Sequence, residues 1–105
     1  MTHPVRSILD HCAAIVDQRG QPYGGIEDSF ARAATIAGAL IGKALDPADV
    51  ALVLHAVKLA RLAGNPGHAD SYDDGINYLA FARHLRGVPA PTVKTYDPIR
   101  TPIPI

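Results

Sequence analysis

Apolar residues recur every three or four positions in the first part of the chain, a spacing that predicts amphipathic helices. The first stripe predicts a helix over residues 5–19, and the second predicts a helix over residues 26–43. The first stripe consists of Val5, Ile8, Leu9, Cys12 and Val16. The second consists of Ile26, Phe30, Ala33, Ala37, Leu40 and Ile41. Both helices have one apolar face and should pack against other elements.

Two further helices are predicted in the second half of the chain. Asp46, Pro47 and Asp49 have the order of an N-cap, a first helical residue and a capping-box partner, so they begin a helix over 47–63. That segment is apolar nearly all round, which is typical of a helix at the centre of a bundle. A fourth helix is predicted over 69–86, with Gly87 at its end.

The last part of the chain is rich in proline, which excludes helix and favours extended structure. We therefore predict an all-α fold: a four-helix bundle-like domain over residues 1–87 and an extended proline-rich C-terminal tail over 88–105. The tail is either an arm laid on the domain or on a partner, or a flexible end.

Composition limits the core and the classes of partner. The chain has 105 residues, of which 48% are hydrophobic and only 6% aromatic, so one small core built from aliphatic residues is expected. A core of this size favours a homo-oligomer. The formal net charge of zero argues against nucleic-acid binding as the main role, because phosphate binding normally needs a basic excess.

The chain carries no sign of a membrane or of an oxidising compartment. No apolar run reaches the roughly 18 residues of a membrane span, and the first residues lack the pattern of a signal peptide. The single cysteine, Cys12, cannot form an internal disulfide and lies on an apolar stripe, so core packing is its expected role. We expect a cytoplasmic protein, in a bacterium or in a phage-infected cell.

The candidate site lies on the third and fourth predicted helices. Lys58 and Arg61 are cations on an otherwise apolar helix, where burial is costly unless they are paired. Asp70 and Asp74 share a face of the next helix, which should run antiparallel after a short turn. Asp28, on the second helix, is a further carboxylate for the same cleft.

These charges have two interpretations. They form structural salt bridges, with Arg61–Asp70 and Lys58–Asp74 as reasonable pairs, or they line a cleft that binds an anion such as phosphate. Asp70 is near the helix start, where a carboxylate is favoured by the helix dipole alone, whereas Asp74 is deeper and harder to explain in that way. Clustered carboxylates also suit a cation, so Asp70 and Asp74 are the candidate magnesium ligands.

Several short motifs resemble, in order and spacing, a family of short phage and prophage proteins of unknown function. The resemblance covers roughly residues 7–85 and leaves out the proline-rich tail. Its motifs are Tyr23-Gly24, Asp28, Phe30, residues 46–51, residues 58–63, residues 65–68, Asp70, Asp74 and Tyr78. Ser29, Ser71, Asp73 and Asn77 depart from the family pattern.

That family is in turn similar to the all-helical MazG-like nucleoside triphosphate pyrophosphohydrolases, which hold magnesium with carboxylates from two neighbouring helices. The resemblance implies that Asp70 and Asp74 would hold magnesium and that Lys58 and Arg61 would neutralise phosphate oxygens. The chain lacks both full carboxylate patterns of those enzymes, and Glu27, Asp28, Asp70 and Asp74 are the nearest substitutes.

Three functions are compatible with these patterns. The first is a phage-type accessory protein that binds a nucleotide or another phosphate ligand in a charged cleft formed by helices two, three and four, with or without hydrolysis. The second is a non-enzymatic interaction protein, such as an inhibitor of a host factor or of a defence system. The third is structural, with the charges closed on each other as an internal salt-bridge network.

Overall fold

The described part of the chain forms four helices. The computed structural model describes residues 3–19 and 25–90. The helices are α1 (Pro4–Arg19), α2 (Ile26–Ile41), α3 (Pro47–Gly64) and α4 (Ala69–Leu85). No strand occurs within these two ranges. The prediction of an all-α fold with four helices is confirmed, whereas residues 91–105 of the predicted tail lie outside the described residues.

Helix α3 begins at a complete capping box. The Asp46 carboxylate accepts a hydrogen bond from the backbone N–H of Asp49 at 2.9 Å, and the Asp49 carboxylate accepts one from the backbone N–H of Asp46 at 3.0 Å. Two N–H groups that the helix itself cannot satisfy are thereby bonded. Arg86 joins this cap, because its guanidinium donates to Asp46 at 2.7 Å and to Asp49 at 3.2 Å. The cap therefore also ties the end of α4 to the start of α3.

Replacing Asp46 with alanine should lower the free energy of unfolding by about 1 kcal/mol, the usual effect of removing an N-cap side chain. Urea denaturation at neutral pH would measure the loss. Asp46→Asn is the control, because asparagine caps helices as well as aspartate and should keep most of the stability. Equal losses for the two variants would contradict the capping role.

The same cap should respond to acid. The backbone hydrogen bond from Asp46, followed by the hydrogen bond from Arg86, lowers the pKa of Asp49 below its ordinary value. A group with a lowered pKa stabilises the fold above its unfolded-state pKa, and this contribution is lost as the pH falls through the folded-state pKa. The difference in the free energy of unfolding between an Asp49→Ala variant and the original protein should therefore shrink at acidic pH.

Helix α2 ends two residues before the end of the predicted range. Gly42 has a φ of 72° and its N–H donates to the carbonyl of Gly38 at 2.9 Å, while the N–H of Lys43 reaches the same carbonyl at 3.1 Å. This left-handed residue turns the chain out of the helix, and glycine adopts it without the steric cost of a Cβ. The helix therefore stops at Ile41, because the chain leaves the helical path at Gly42.

Helices α3 and α4 form the central antiparallel hairpin, with α2 packed on α3 and α1 packed on α4. Gly75 of α4 lies beside His55 and Lys58 of α3, since a Cβ built on Gly75 would be 3.6 Å from the Lys58 Cβ. In an antiparallel pair, two turns further along α4 corresponds to two turns back along α3. This register places Ala82 beside Ala48 and Ala51.

Small buried residues therefore make the contact between these two helices, which we call the α3–α4 seam. Its members are Ala48 and Ala51 on α3 and Ser71, Gly75 and Ala82 on α4. Ala48 and Ala51 are 1% and 0% exposed, so the two backbones approach closely. By contrast, Leu52, Val53, Val57 and Leu59 of α3 are 40–59% exposed. The helix is central, but much of its apolar surface is uncovered.

No helix in the described part of the chain is long and apolar enough to cross a membrane.

Candidate functional site

The candidate site is centred on the carboxylate of Asp74. The Lys58 ammonium lies 3.1 Å from Asp74 Oδ2, and Arg19 Nη1 lies 3.5 Å from Asp74 Oδ1. The side chains of Lys58 and Asp74 are only 15% and 20% exposed, whereas that of Arg19 is 69% exposed. One half-buried ion pair is thus extended by an exposed cation from α1.

The α3–α4 seam positions this ion pair. Gly75 has no side chain, so Lys58 can pass close to α4 and reach Asp74, the residue before Gly75. His55 also connects α3 to α4 at Gly75, since its Nδ1 lies 2.7 Å from the carbonyl oxygen of Gly75. A carbonyl can only accept, so the Nδ1 of His55 carries the proton in this hydrogen bond. The imidazole therefore has a structural role on this side.

The cations at this position are matched by two carboxylates. Lys58 and Arg19 share Asp74, and the neighbouring Asp73 carboxylate lies 3.4 Å from His11. The exposed member of this array is Arg19, so its guanidinium is the group that an anion in solution would meet first.

Next to these charges lies a cavity of about 240 Å³ between α1, α2 and α4. Asp74 and Arg19 lie at its polar side, and most of its remaining lining is apolar or aromatic. The described residues that line it are Ile15, Val16, Arg19, Gly25, Ile26, Ser29, Phe30, Asp74, Tyr78 and Phe81. The cleft expected from the sequence involved α2, α3 and α4, but here α1 forms a wall and α3 contributes only Lys58, behind Asp74.

Three aromatic rings form one side of the cavity. Phe30 and Phe81 have ring centroids 5.9 Å apart and an interplanar angle of 72°, and Tyr78 and Phe81 are 6.1 Å apart at 79°. Both pairs are edge-to-face arrangements, which aromatic rings prefer. The rings therefore form a rigid apolar surface that suits a flat, partly apolar ligand.

The structure brings together only part of the site expected from the sequence. Lys58 and Asp74 form the pair described above. Arg61 and Asp70 are exposed, and within the described residues neither makes an ion pair. Asp28 is also exposed and does not line the cavity.

Glu27 is used elsewhere. Its carboxylate lies 2.6 Å from Nε2 of His84, and this hydrogen bond lowers the pKa of Glu27 below its ordinary value. The pair connects the start of α2 with the end of α4. Glu27 is therefore not a carboxylate of the Asp74 site.

The two candidate magnesium ligands suggested by the sequence, Asp70 and Asp74, have different surroundings. Within residues 3–19 and 25–90, no three His, Cys, Asp or Glu side chains are grouped so that they could hold a metal ion. Asp74 is already paired with two cations, and Asp70 is exposed at the start of α4. Magnesium at Asp70 and Asp74 stays a prediction, and the pairing of Asp74 speaks against it.

A second polar cluster joins α1 to α4 and is structural. Asn77 donates from Nδ2 to the carbonyl oxygen of Cys12 at 3.1 Å, and His11 Nε2 lies 3.4 Å from a carboxylate oxygen of Asp73. Cys12 is 2% exposed, and burial, followed by the charge of Asp73, raises the pKa of its thiol. A buried thiol that resists ionisation is a poor nucleophile, which agrees with core packing.

Arg19 is the charged residue of the site that the sequence did not indicate. It ends α1 and is separated from Asp74 by 55 positions, so no local pattern connects the two. The aromatic residues gave a weak signal, because the chain has only two phenylalanines and both line the cavity. In a chain without tryptophan, the positions of the two phenylalanines therefore indicate where an aromatic surface can form.

The chain was compared with protein families, curated proteins and solved structures. A family model described as a domain of unknown function (DUF6378) matches residues 7–86. Comparison with curated proteins and with solved structures finds no match.

Proposed function

Because the chain belongs to the DUF6378 family, we propose a function from its site: the protein binds a nucleotide or a closely related phosphate ester. The ring of the ligand would occupy the aromatic cavity, and its phosphate would lie at the cavity's edge on Arg19. Lys58 would act from behind, by holding Asp74 in place. The sequence resemblance to phage and prophage proteins adds the proposal that this binding serves an accessory role in infected bacteria.

One observation carries the proposal: the exposed guanidinium of Arg19 lies at the edge of an aromatic-lined cavity. An aromatic surface next to a cation is complementary to a molecule with a flat ring and an anionic group. The guanidinium of arginine is particularly suited to phosphate, because its donors match two phosphate oxygens at once.

The size of the cavity decides which part of the ligand it would hold. Pockets for drug-sized ligands have volumes of roughly 300–1,000 Å³. A cavity of about 240 Å³ is smaller, so it would enclose a ring and leave the charged part outside. The exposed Arg19 is placed where that charged part would emerge.

Isothermal titration would test the proposal, with nucleoside monophosphates and triphosphates, the free nucleosides and inorganic phosphate as ligands. We expect nucleotides to bind more tightly than nucleosides or phosphate alone. Arg19→Gln should weaken nucleotide binding about 10- to 100-fold, which corresponds to a charged hydrogen bond of about 1.5–3 kcal/mol.

Arg61→Gln is the matched control, because Arg61 is also an exposed arginine but lies away from the cavity. Its titration should equal that of the original protein. Absence of heat with every ligand would contradict the proposal. An equal loss in Arg19→Gln and Arg61→Gln would contradict the assigned site, since the sequence-based cleft with Arg61 would then be the better description.

The second candidate function, interaction with another protein, is favoured by the apolar surface of α2. Leu40 is 81% exposed, and Ile36 and Ile41 are 61% and 60% exposed. Apolar side chains grouped on one helix often mark a protein-binding surface. A nucleotide panel without any binding would favour this function over the first.

A further inference from the structure

Helix α4 presents an apolar ridge beside the seam, formed by Ile76, Leu79 and Ala80, of which Leu79 and Ala80 are exposed. A groove runs along each side of it. The groove towards α3 is lined by Leu52, His55, Ile76, Leu79, Ala80, Ala82, Arg83, Arg86 and Val88. The groove towards α1 is lined by Leu9, Cys12, Ala13, Val16, Asp17, Ile26, Ile76, Asn77, Ala80, Phe81 and His84. Ile76 and Ala80 belong to both, so the two grooves and the ridge form one continuous surface, which we call the α4 face.

The α4 face is apolar and exposed to solvent. Leu52, Leu79, Val88 and Leu9 are 40–50% exposed. The cations at its edge are satisfied within the chain, since Arg86 is bonded to the α3 cap and Arg83 donates to the carbonyl of Pro89 at 2.8 Å. Apart from Asp17, which also lines the groove towards α1, covering the face would therefore bury mainly apolar side chains.

We propose that a second copy of this chain docks on the α4 face to form a two-fold symmetric dimer. A symmetric dimer requires a surface that is complementary to itself, because both copies contribute the same patch. The α4 face has this property: it carries an apolar ridge and, beside it, an apolar groove, so each copy's ridge can enter the other's groove. Ridge-into-groove contact is the usual way in which helices pack.

The area of the face is of the same order as one side of a standard interface. Helix α4 has 17 residues and is about 26 Å long at 1.5 Å per residue. The axes of the neighbouring helices lie about 8–10 Å away on each side of α4. The length of α4 multiplied by the combined width of the two sides gives the α4 face a flat area of about 500 Å². The accessible area of a corrugated helix surface is larger than its footprint, and a standard interface buries about 800 Å² on each partner.

The poor core of the single chain supports a second copy rather than a transient partner. The buried apolar residues of the described part are all small: Cys12, Ala34, Ala48, Ala51 and Ala82. Burying large aliphatic side chains gives far more stability than burying alanine. Dimerisation on the α4 face would move Leu79, Leu52 and Val88 into a shared core. This proposal goes beyond ligand binding and does not depend on it.

Sedimentation equilibrium of the full chain would test the proposal. We expect a species of twice the chain mass at micromolar concentration. Leu79→Asp should raise the dissociation constant of the dimer at least about 100-fold, because a symmetric interface contains the substitution twice. Val53→Asp is the matched control, since Val53 is 59% exposed on α3, outside the α4 face, and its variant should dimerise normally.

A cross-linking experiment keeps the test decisive if Leu79→Asp fails to fold. The native Cys12 is 2% exposed, so a cysteine introduced on the surface would be the reactive thiol. Under mild oxidation, Leu79→Cys or Ala80→Cys should form a disulfide-linked dimer, and Val53→Cys should not. A monomeric native chain would overturn the proposal and leave the face to residues 91–105 or to another protein. The assignment of the α4 face would be overturned if the protein is a dimer, Leu79→Asp does not weaken it, and neither introduced cysteine cross-links it.

Discussion

Replacing Ala51 with leucine is expected to lower the free energy of unfolding by about 3 kcal/mol, near the upper end of the range for overpacked cores. Ala51 is 0% exposed and lies in the α3–α4 seam, where the facing residues are small as well. A leucine adds three carbon atoms at a point where two backbones are close. The helices would have to separate, and the contact at Gly75 and Ala82 would be lost along the hairpin.

Chemical denaturation followed by circular dichroism would measure this loss. Ala60→Leu is the control, because Ala60 lies on the same helix but is exposed. Its effect should stay within about 0.5 kcal/mol, as for most surface substitutions. A neutral Ala51→Leu, or equal losses in the two variants, would show that the seam is looser than this packing requires.

The helices themselves follow from local signals in the sequence. The capping box at Asp46 and Asp49 and the glycine after α4 act over a few residues, so the sequence alone is sufficient to recognise them. The end of α2 was less predictable. It depends on the left-handed conformation of Gly42. Glycine also occurs inside helices that pack closely on a neighbour, so its presence alone does not mark the end of a helix.

The direction in which α3 packs could not be read from its sequence. A helix that is apolar nearly all round has no preferred face, and the seam is chosen by the small size of Ala48 and Ala51 rather than by hydrophobicity. Leu52 and Leu59, which are more apolar, remain 40% and 53% exposed. Hydrophobic periodicity therefore predicts the helix but not its partner.

The candidate site also could be predicted only in part, because its contacts depend on how the helices pack. Lys58 meets Asp74, but Arg61 does not meet Asp70, although a short turn joins the two helices. Each residue of an α-helix turns by about 100°, so three positions beyond Lys58 the side chain points about 60° further from α4. Arg19 reaches Asp74 only because α1 packs on α4, a contact between residues 55 positions apart.

Replacing Asp74 with alanine is expected to lower the free energy of unfolding by about 2 kcal/mol. The substitution leaves the Lys58 ammonium, which is 15% exposed, without its partner at 3.1 Å. Breaking a fully buried ion pair costs about 3–5 kcal/mol, and the partial exposure of this pair reduces the cost. Asp70→Ala is the control, since Asp70 is exposed on the same helix and should change stability by less than about 1 kcal/mol, the upper value for a carboxylate in the first turn of a helix.

A double-mutant cycle would measure the interaction free energy between Lys58 and Asp74. Lys58→Met removes the charge but keeps most of the apolar stem, so Lys58→Met combined with Asp74→Ala should cost at least about 1 kcal/mol less than the sum of the single variants. Additive losses would show that the two side chains do not stabilise each other. If the pair is coupled and Arg19→Gln leaves nucleotide titration unchanged, the charges act only on the fold. The structural salt-bridge network would then be the correct interpretation of a site whose geometry also suits a phosphate ligand.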